Sequence, residues 1–242
     1  MLELNKLYLM DCMDGMKQFP DGYFDLAIVD PPYGVGTVTY MPHKRTRVSG
    51  GFIDKYNIIM ATLSMNQRPK LKVDIDHSMN TKTTIKGFGD ENVAPPPEYF
   101  AELFRVSKHQ IIWGGNYFLL PPSRGFVVWR KPQVTENFSM AMCELAWTSF
   151  NTNAKYIEMP SIGKPGERFH PTQKPVKLYE WLLKHYAKPG DKILDTHAGS
   201  ASSLVACRNA GYTFIGFEID PDYHAAAHAR LLAAEAQMML PV

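Results

Sequence analysis

The stretch DKILDTHAGSASSLVACRNAGYTFIGFEID, residues 191–220, decides the fold. It reads as an apolar strand ending at Asp195, a small-residue turn around Gly199, the helical run SSLVACRNAG, and a second apolar strand ending at Glu218. Continuous apolar strands joined by a helix are the unit of a parallel sheet covered on both faces. On the C-terminal side the alternation continues with the helix PDYHAAAHARLLAAEAQMML. On the N-terminal side stands the helix KPVKLYEWLLKHYAKPG, closed by Pro-Gly. Further upstream, KLYLM, DCMDGMKQF and FDLAIVD predict strand, short helix and strand. PPPEYFAELFRVSK predicts a helix opened by prolines, and HQIIWGG, GFVVWRKP and MCELAWTSF predict strands. NTNAKYIEMPSIGKPGERF reads as a loop. The expectation is an α/β layered fold with a mainly parallel twisted sheet and helices on both faces.

The 242 residues are 45% hydrophobic and 21% charged, which suits one domain, 1–242, with a sizeable core. No apolar run approaches the roughly 20 residues that cross a bilayer, and the first residues lack a signal-peptide pattern, so a soluble cytoplasmic protein with no membrane partner is expected. Cys12, Cys143 and Cys207 are odd in number and lack CxxC spacing, which predicts reduced, mostly buried thiols and no metal site. The net charge is only +2, but its distribution is uneven. Residues 1–33 are acidic. Residues 34–88 carry Lys44, Arg45, Arg47, Lys55, Arg68, Lys70, Lys72, Lys82 and Lys86 against Asp54, Asp74 and Asp76. That second segment lacks steady periodicity and is read as a long basic insertion, 35–88.

Ligands of parallel α/β sheets sit at the carboxyl ends of strands. Three unusual segments fall at such ends: Asp30 to Tyr33, Asp195 to Ser203, and Glu218 to Asp220. The Gly199 turn lets backbone approach a ligand beside a helix N-terminus, and Glu218, 23 residues after Asp195, is spaced to accept two ribose hydroxyls. The GxGxxG that cradles a dinucleotide pyrophosphate is absent, which argues against a nicotinamide cofactor. An ordinary Gly-rich α/β turn is the bland alternative. In LAIVDPPYGVG, residues 26–36, the prolines stiffen the chain and remove two N–H donors, so the turn offers acceptors only. A carboxylate beside a rigid carbonyl suits the two hydrogens of an amino group, and the Tyr33 ring suits a flat heterocycle. A plain strand-ending turn is the alternative.

DPPYG at 30–34, VVWRKPQ at 127–133, FHPTQKP at 169–175, LDTHAGSASS at 194–203 and the GFEIDPDY that follows closely resemble the S-adenosylmethionine-dependent amino-group DNA methyltransferases. Their order here, catalytic motif before cofactor motif, is that of the permuted β group. The resemblance implies a Rossmann-like methyltransferase fold with circularly permuted motif order. It implies Asp30, Pro31, Pro32 and Tyr33 as the catalytic loop, with the Asp30 carboxylate and Pro31 carbonyl holding the target amine and Tyr33 stacking on the base. It implies Asp11, Cys12, His170, Thr172, Gln173, Lys174, Asp195, Ala198, Gly199, Ser200, Ser202, Glu218 and Ile219 as cofactor-binding. Within that set Thr172, Gln173 and Lys174 border the methionine end, and Glu218 holds the ribose. His170 is as readily a structural histidine. The sequence departs from the usual DPFxGSGTT: Thr196 and Ala201 replace a proline and a glycine.

The implied reaction is site-specific methylation of an exocyclic amine of a flipped base in double-stranded DNA, adenine N6 ahead of cytosine N4, because cytosine members more often carry serine where Asp30 stands. RNA or protein-glutamine methylation and an inactive DNA-binding relative are the rivals. Lys44, Arg45, Arg47, Arg68, Lys70 and Lys72 are expected to contact DNA, and 151–169 occupies the place of a short target-recognition loop. A homodimer and a companion restriction endonuclease, as in a restriction-modification system, are partners that the family admits.

Overall fold

The computed structural model describes residues 1–34, 93–137, 140–161 and 168–239. The predicted basic insertion, with all six of its expected DNA contacts, lies outside the described residues. In chain order the elements are β1 (Lys6–Leu9), α1 (Cys12–Met16), β2 (Phe24–Val29), α2 (Pro97–Val106), β3 (Ser107–Trp113), a 3-10 turn (Gly115–Tyr117), β4 (Phe126–Arg130), β5 (Cys143–Thr148), β6 (Lys155–Glu158), α3 (Val176–Tyr186), β7 (Lys192–Asp195), α4 (Ser202–Asn209), β8 (Thr213–Glu218) and α5 (Pro221–Met239).

The strands form one sheet in the order β1-β8-β7-β2-β3-β5-β4-β6. Pairing is parallel except where β5 runs against β3 and β4. The mainly parallel α/β reading therefore holds. Burial on both faces explains why β2 is apolar from Leu26 to Val29. Leu26 and Ile28 face the core shared with Leu178, Leu182 and Leu183 of α3, Leu204 of α4 and Leu231 of α5. Ala27 and Val29 face the opposite core, which Phe24 at the start of the strand also joins, with Met16 of α1 and Tyr99, Phe100, Leu103 and Val106 of α2. Each large apolar side chain contributes about 1.5–3 kcal/mol on full burial, so a strand buried on both faces is strongly anchored. Pro96 and Pro97 open α2, where a missing N–H costs nothing, and Arg105 at its end donates to the Phe19 carbonyl and pairs with Asp21 and Glu102.

One expectation fails. The segment read as a loop contains β6, which pairs in parallel with β4, Val128 opposite Tyr156 and Trp129 opposite Ile157. Of its four residues only Ile157 is buried, so an edge strand of this kind carries almost no apolar periodicity. The Trp129 indole N–H completes the attachment by donating to the Met159 carbonyl at 2.8 Å. Residues 162–167 of the expected target-recognition loop lie outside the described residues. Cys207 is buried and Cys12 half-buried, but Cys143, at the start of β5, is exposed. Among the described residues no helix is long and apolar enough to cross a membrane, and no cluster of side chains is arranged to hold a metal ion.

Candidate active site

Four adjacent parallel strands, β1, β8, β7 and β2, end on the same rim of the sheet. Their ends deliver, in that spatial order, Asp11, Glu218, Asp195 and Asp30. Neighbouring strands stand about 4.8 Å apart, so residues 165 positions distant in the chain, Asp30 and Asp195, come to adjacent places. Asp11 caps α1, accepting from Met13 N–H at 2.7 Å, and the neighbouring Met10 N–H donates to the Glu218 carbonyl at 3.0 Å.

The half of the rim expected to hold the cofactor, around Asp195 and Glu218, is held by neutral donors. Asp195, 3% exposed, accepts from the His197 N–H at 3.1 Å and from the Ser203 hydroxyl. Burial pushes its carboxyl up to about 7 in spite of those two donors. Glu218 accepts from Gly199 N–H at 2.7 Å on one oxygen and from Asp220 N–H at 2.9 Å on the other. Burial likewise raises it above the ordinary carboxylate range. Gly199 has φ +50°, and a Cβ there would meet the His170 ring at 3.1 Å. His170 stands edge-on to Tyr223 at 4.4 Å, and burial, with Lys174 and Arg168 adding, pulls its imidazole down to about 4. Its ring thus packs between the turn and Tyr223.

The two departures in the turn each have a definite place. Ala201 adopts φ 56°, ψ 27°, the left-handed conformation that glycine would supply freely. The buried Thr196 hydroxyl hydrogen-bonds Tyr99 of α2 at 2.5 Å and the His197 ring at 2.9 Å. Arg230 of α5 donates to the Ser200 carbonyl and the Ser202 hydroxyl, both at 2.8 Å. Ala198 N–H donates to the Phe217 carbonyl at 2.9 Å. Of the remaining expected cofactor residues, Ile219 is 63% exposed beside Glu218, Thr172 is exposed with its hydroxyl 3.3 Å from His170 Nδ1, and Gln173 accepts from the Phe169 N–H. The Cys12 thiol is pushed up to about 12 by burial and by Asp11, so it remains protonated.

The half of the rim expected to be catalytic, around Asp30, is built from charge. Asp30 Oδ1 accepts the Tyr33 hydroxyl at 2.6 Å, and its Oδ2 accepts the Lys174 ammonium. Lys174, 5% exposed, also lies 3.1 Å from Glu144 Oε2, and the other Glu144 oxygen pairs with Lys131. Burial opposes the charge on both Lys174 and Glu144. The neighbouring opposite charges prevail, holding Lys174 well above and Glu144 below their ordinary values. The resemblance assigns Lys174 to the methionine end of the cofactor, whereas its ammonium is committed to Asp30 and Glu144. Tyr33 is stacked on Tyr117 of the 3-10 turn, with centroids 5.0 Å apart and planes 19° apart. It also lies on Gly114, whose φ is +66° and whose absent Cβ would fall 2.3 Å from the ring. Only glycine fits there.

Sequence reasoning missed Lys131, Glu144, Gly114 and Tyr117. Lys131 closes the predicted strand GFVVWRKP, and Glu144 is the one acid inside the apolar MCELAWTSF. A buried-strand pattern interrupted by a charge was the available signal.

Residues 127–229 match a family profile described as DNA methylase, of the N6/N4 type. The chain is 40% identical over 242 residues to the putative methylase YubD of Escherichia coli (strain K12), covering 94% of this chain and 90% of that protein. Among solved structures, PvuII DNA methyltransferase (cytosine-N4-specific) superposes with a TM-score of 0.55 at 13% identity, covering 96% of this chain and 92% of that one. The M1.HpyAVI–SAM complex gives 0.51 at 17% identity, covering 93% and 98%. At such identities these two likenesses speak for the fold.

Proposed function

The chain belongs to the DNA methylases of the N6/N4 amino-group type, and from that premise we propose that it transfers a methyl group to adenine N6 of a flipped base at specific sites in double-stranded DNA. The observation that carries the reading is the rim itself: an amine-accepting loop, Asp30 to Tyr33, one strand away from a carboxylate-lined turn suited to a nucleoside.

The cofactor of the family is S-adenosylmethionine, and the donor set fits it. Glu218 presents two oxygens at a strand end, each with a lone pair beyond its backbone partner, for a ribose diol. Gly199 and the small residues Ala198, Ser200 and Ser202 keep side chains out of the turn, and Asp11 stands beside Glu218 for the adenine end. When bound, S-adenosylmethionine supplies an electrophilic methyl group on a sulfonium.

The protein's own residues answer the difficulty of the nucleophile. An exocyclic amine has its lone pair delocalised into the ring. Accepting its hydrogens at Asp30 and at the Pro31 carbonyl favours a pyramidal nitrogen, and the carboxylate stabilises the positive charge that builds there. That interaction is stronger in the transition state than in the ground state. Tyr33 fixes the base plane, and orientation supplies much of the remaining acceleration. The protonated Cys12 offers no nucleophile, consistent with direct transfer.

Extruding a base costs on the order of a few kcal/mol. Phosphate contacts from Lys44, Arg45, Arg47, Arg68, Lys70 and Lys72 offset it in this reading; with about five contacts, log affinity falls with log salt at a slope of about −4 to −5. The test is incubation with S-adenosylmethionine and a mixed duplex library, followed by mapping of modified bases. N6-methyladenine at a shared sequence is expected. N4-methylcytosine would move the assignment to the other amino base, and methyl found only on RNA or protein would overturn it.

A further inference from the structure

We propose that Glu144 is a positioning residue for this reaction, acting through Lys174 to keep Asp30 open to the target amine. The inference rests on the methyltransferase reading above. Opposite charges alternate along Lys131, Glu144, Lys174 and Asp30, and only the last stands at the rim. The side chains of Lys174 and Asp30 are 4% and 13% exposed, so water screens their attraction little.

The Lys174 ammonium has three N–H groups and three neighbours: Asp30 Oδ2, the Tyr33 hydroxyl at 3.4 Å and Glu144 Oε2 at 3.1 Å. The Glu144 oxygen makes no aligned hydrogen bond, so its hold on the ammonium is electrostatic. Asp30 has a conflicting task. It must accept the hydrogens of an amine whose nitrogen gains positive charge during transfer, and an ammonium wholly committed to Asp30 opposes that charge and occupies the acceptor. Glu144, 3.1 Å from the same ammonium, competes with Asp30 for its charge. Lys131 in turn gives Glu144 its second cation and keeps it ionised, so Lys174 always faces a competing carboxylate.

The test is a kinetic double-mutant cycle with Glu144→Gln, which keeps shape and loses charge, and Lys174→Met. Glu144→Gln is expected to lower kcat by roughly 10- to 100-fold while KM for DNA and the Kd for S-adenosylmethionine change less than about threefold. In the Lys174→Met background the same change is expected to cost less than about twofold, because its route to Asp30 is gone. A second readout needs no turnover. The parent should bind duplex carrying the target base more tightly than duplex carrying an analogue without the exocyclic amine, and Glu144→Gln should lose most of that preference.

Equal losses from Glu144→Gln in both backgrounds would mark a merely structural role and overturn the inference, as would kcat within twofold of the parent or a tenfold loss of cofactor affinity. A parent protein that methylates no DNA overturns the functional reading and this inference together. An active parent with an indifferent Glu144→Gln overturns this inference alone.

Discussion

The two halves of the rim solve one problem, a buried carboxylate, in opposite ways. Asp195 and Glu218 are met by backbone N–H groups and a hydroxyl, and both titrate above the ordinary range. Asp30 is met by an ammonium that a second carboxylate also claims. Backbone donors are fixed by the fold and suit a ligand that is to be held in one pose. A lysine side chain is rotatable, and its contact is exchangeable, which suits a group that must change partners during a reaction.

The sharpest way to break this comparison is Asp30→Ala. If the catalytic half only accepts the amine, the variant should lose about 10³-fold or more in kcat while cofactor and DNA Kd values move little. A parallel loss of cofactor affinity would show the halves to be one unit. Glu218→Ala is the mirror experiment. Loss of two charge-assisted hydrogen bonds to a diol, about 1.5–3 kcal/mol each, predicts a rise in cofactor Kd of roughly 100-fold or more, measured by calorimetry. Unchanged affinity would remove Glu218 from the ribose.

Asp195→Asn probes the fixed half without any ligand. Because the folded carboxyl titrates near 7 and the unfolded one near the ordinary value of about 4, its contribution to stability is complete below about pH 4 and is lost as pH rises toward 7. Asparagine lacks this loss. The Tm advantage of the variant over the parent should therefore grow between pH 4 and 7 and then level off, at about 2–4 °C per kcal/mol for a chain of this size. His170 and His197, both pulled down to about 4 by burial, act in the opposite direction over the same interval but cancel in the difference. A Tm difference independent of pH would contradict the assignment. The smallest effect expected is that of Tyr117→Ala. Losing a stack worth about 0.5–1.5 kcal/mol on Tyr33 should raise KM for DNA roughly two- to tenfold, with Tyr117→Phe close to the parent.

What the sequence disclosed follows from where information is local. The strands β2, β7 and β8 are apolar on both faces and end in acids, so the strands, the family and the acids at the rim were readable from short strings. The β6 strand was not, because an edge strand with one buried residue has no pattern to read. Nor was the Lys131–Glu144–Lys174–Asp30 series. Its members come from the end of β4, from β5, from the loop before α3 and from the end of β2, and the antiparallel insertion of β5 between β3 and β4 decides their meeting. Motif reading placed Lys174 by its neighbours in sequence, Thr172 and Gln173, and missed its neighbours in space.

The place of β1 and β2 in the sheet also sets a clock. Among the described strands β1 pairs only with β8, and β2 needs β7 on its flank, so the strand carrying Asp30 leaves the ribosome long before the strand beside it. At about 5–20 residues per second, the interval between residues 29 and 195 is roughly 10–30 s. Throughout that time a nascent chain holds the Asp30–Tyr33 loop with no Gly199 turn beside it. Competence to modify DNA is therefore expected only after residue 218 has been made, and a chain terminated before the Gly199 turn is expected to be catalytically silent.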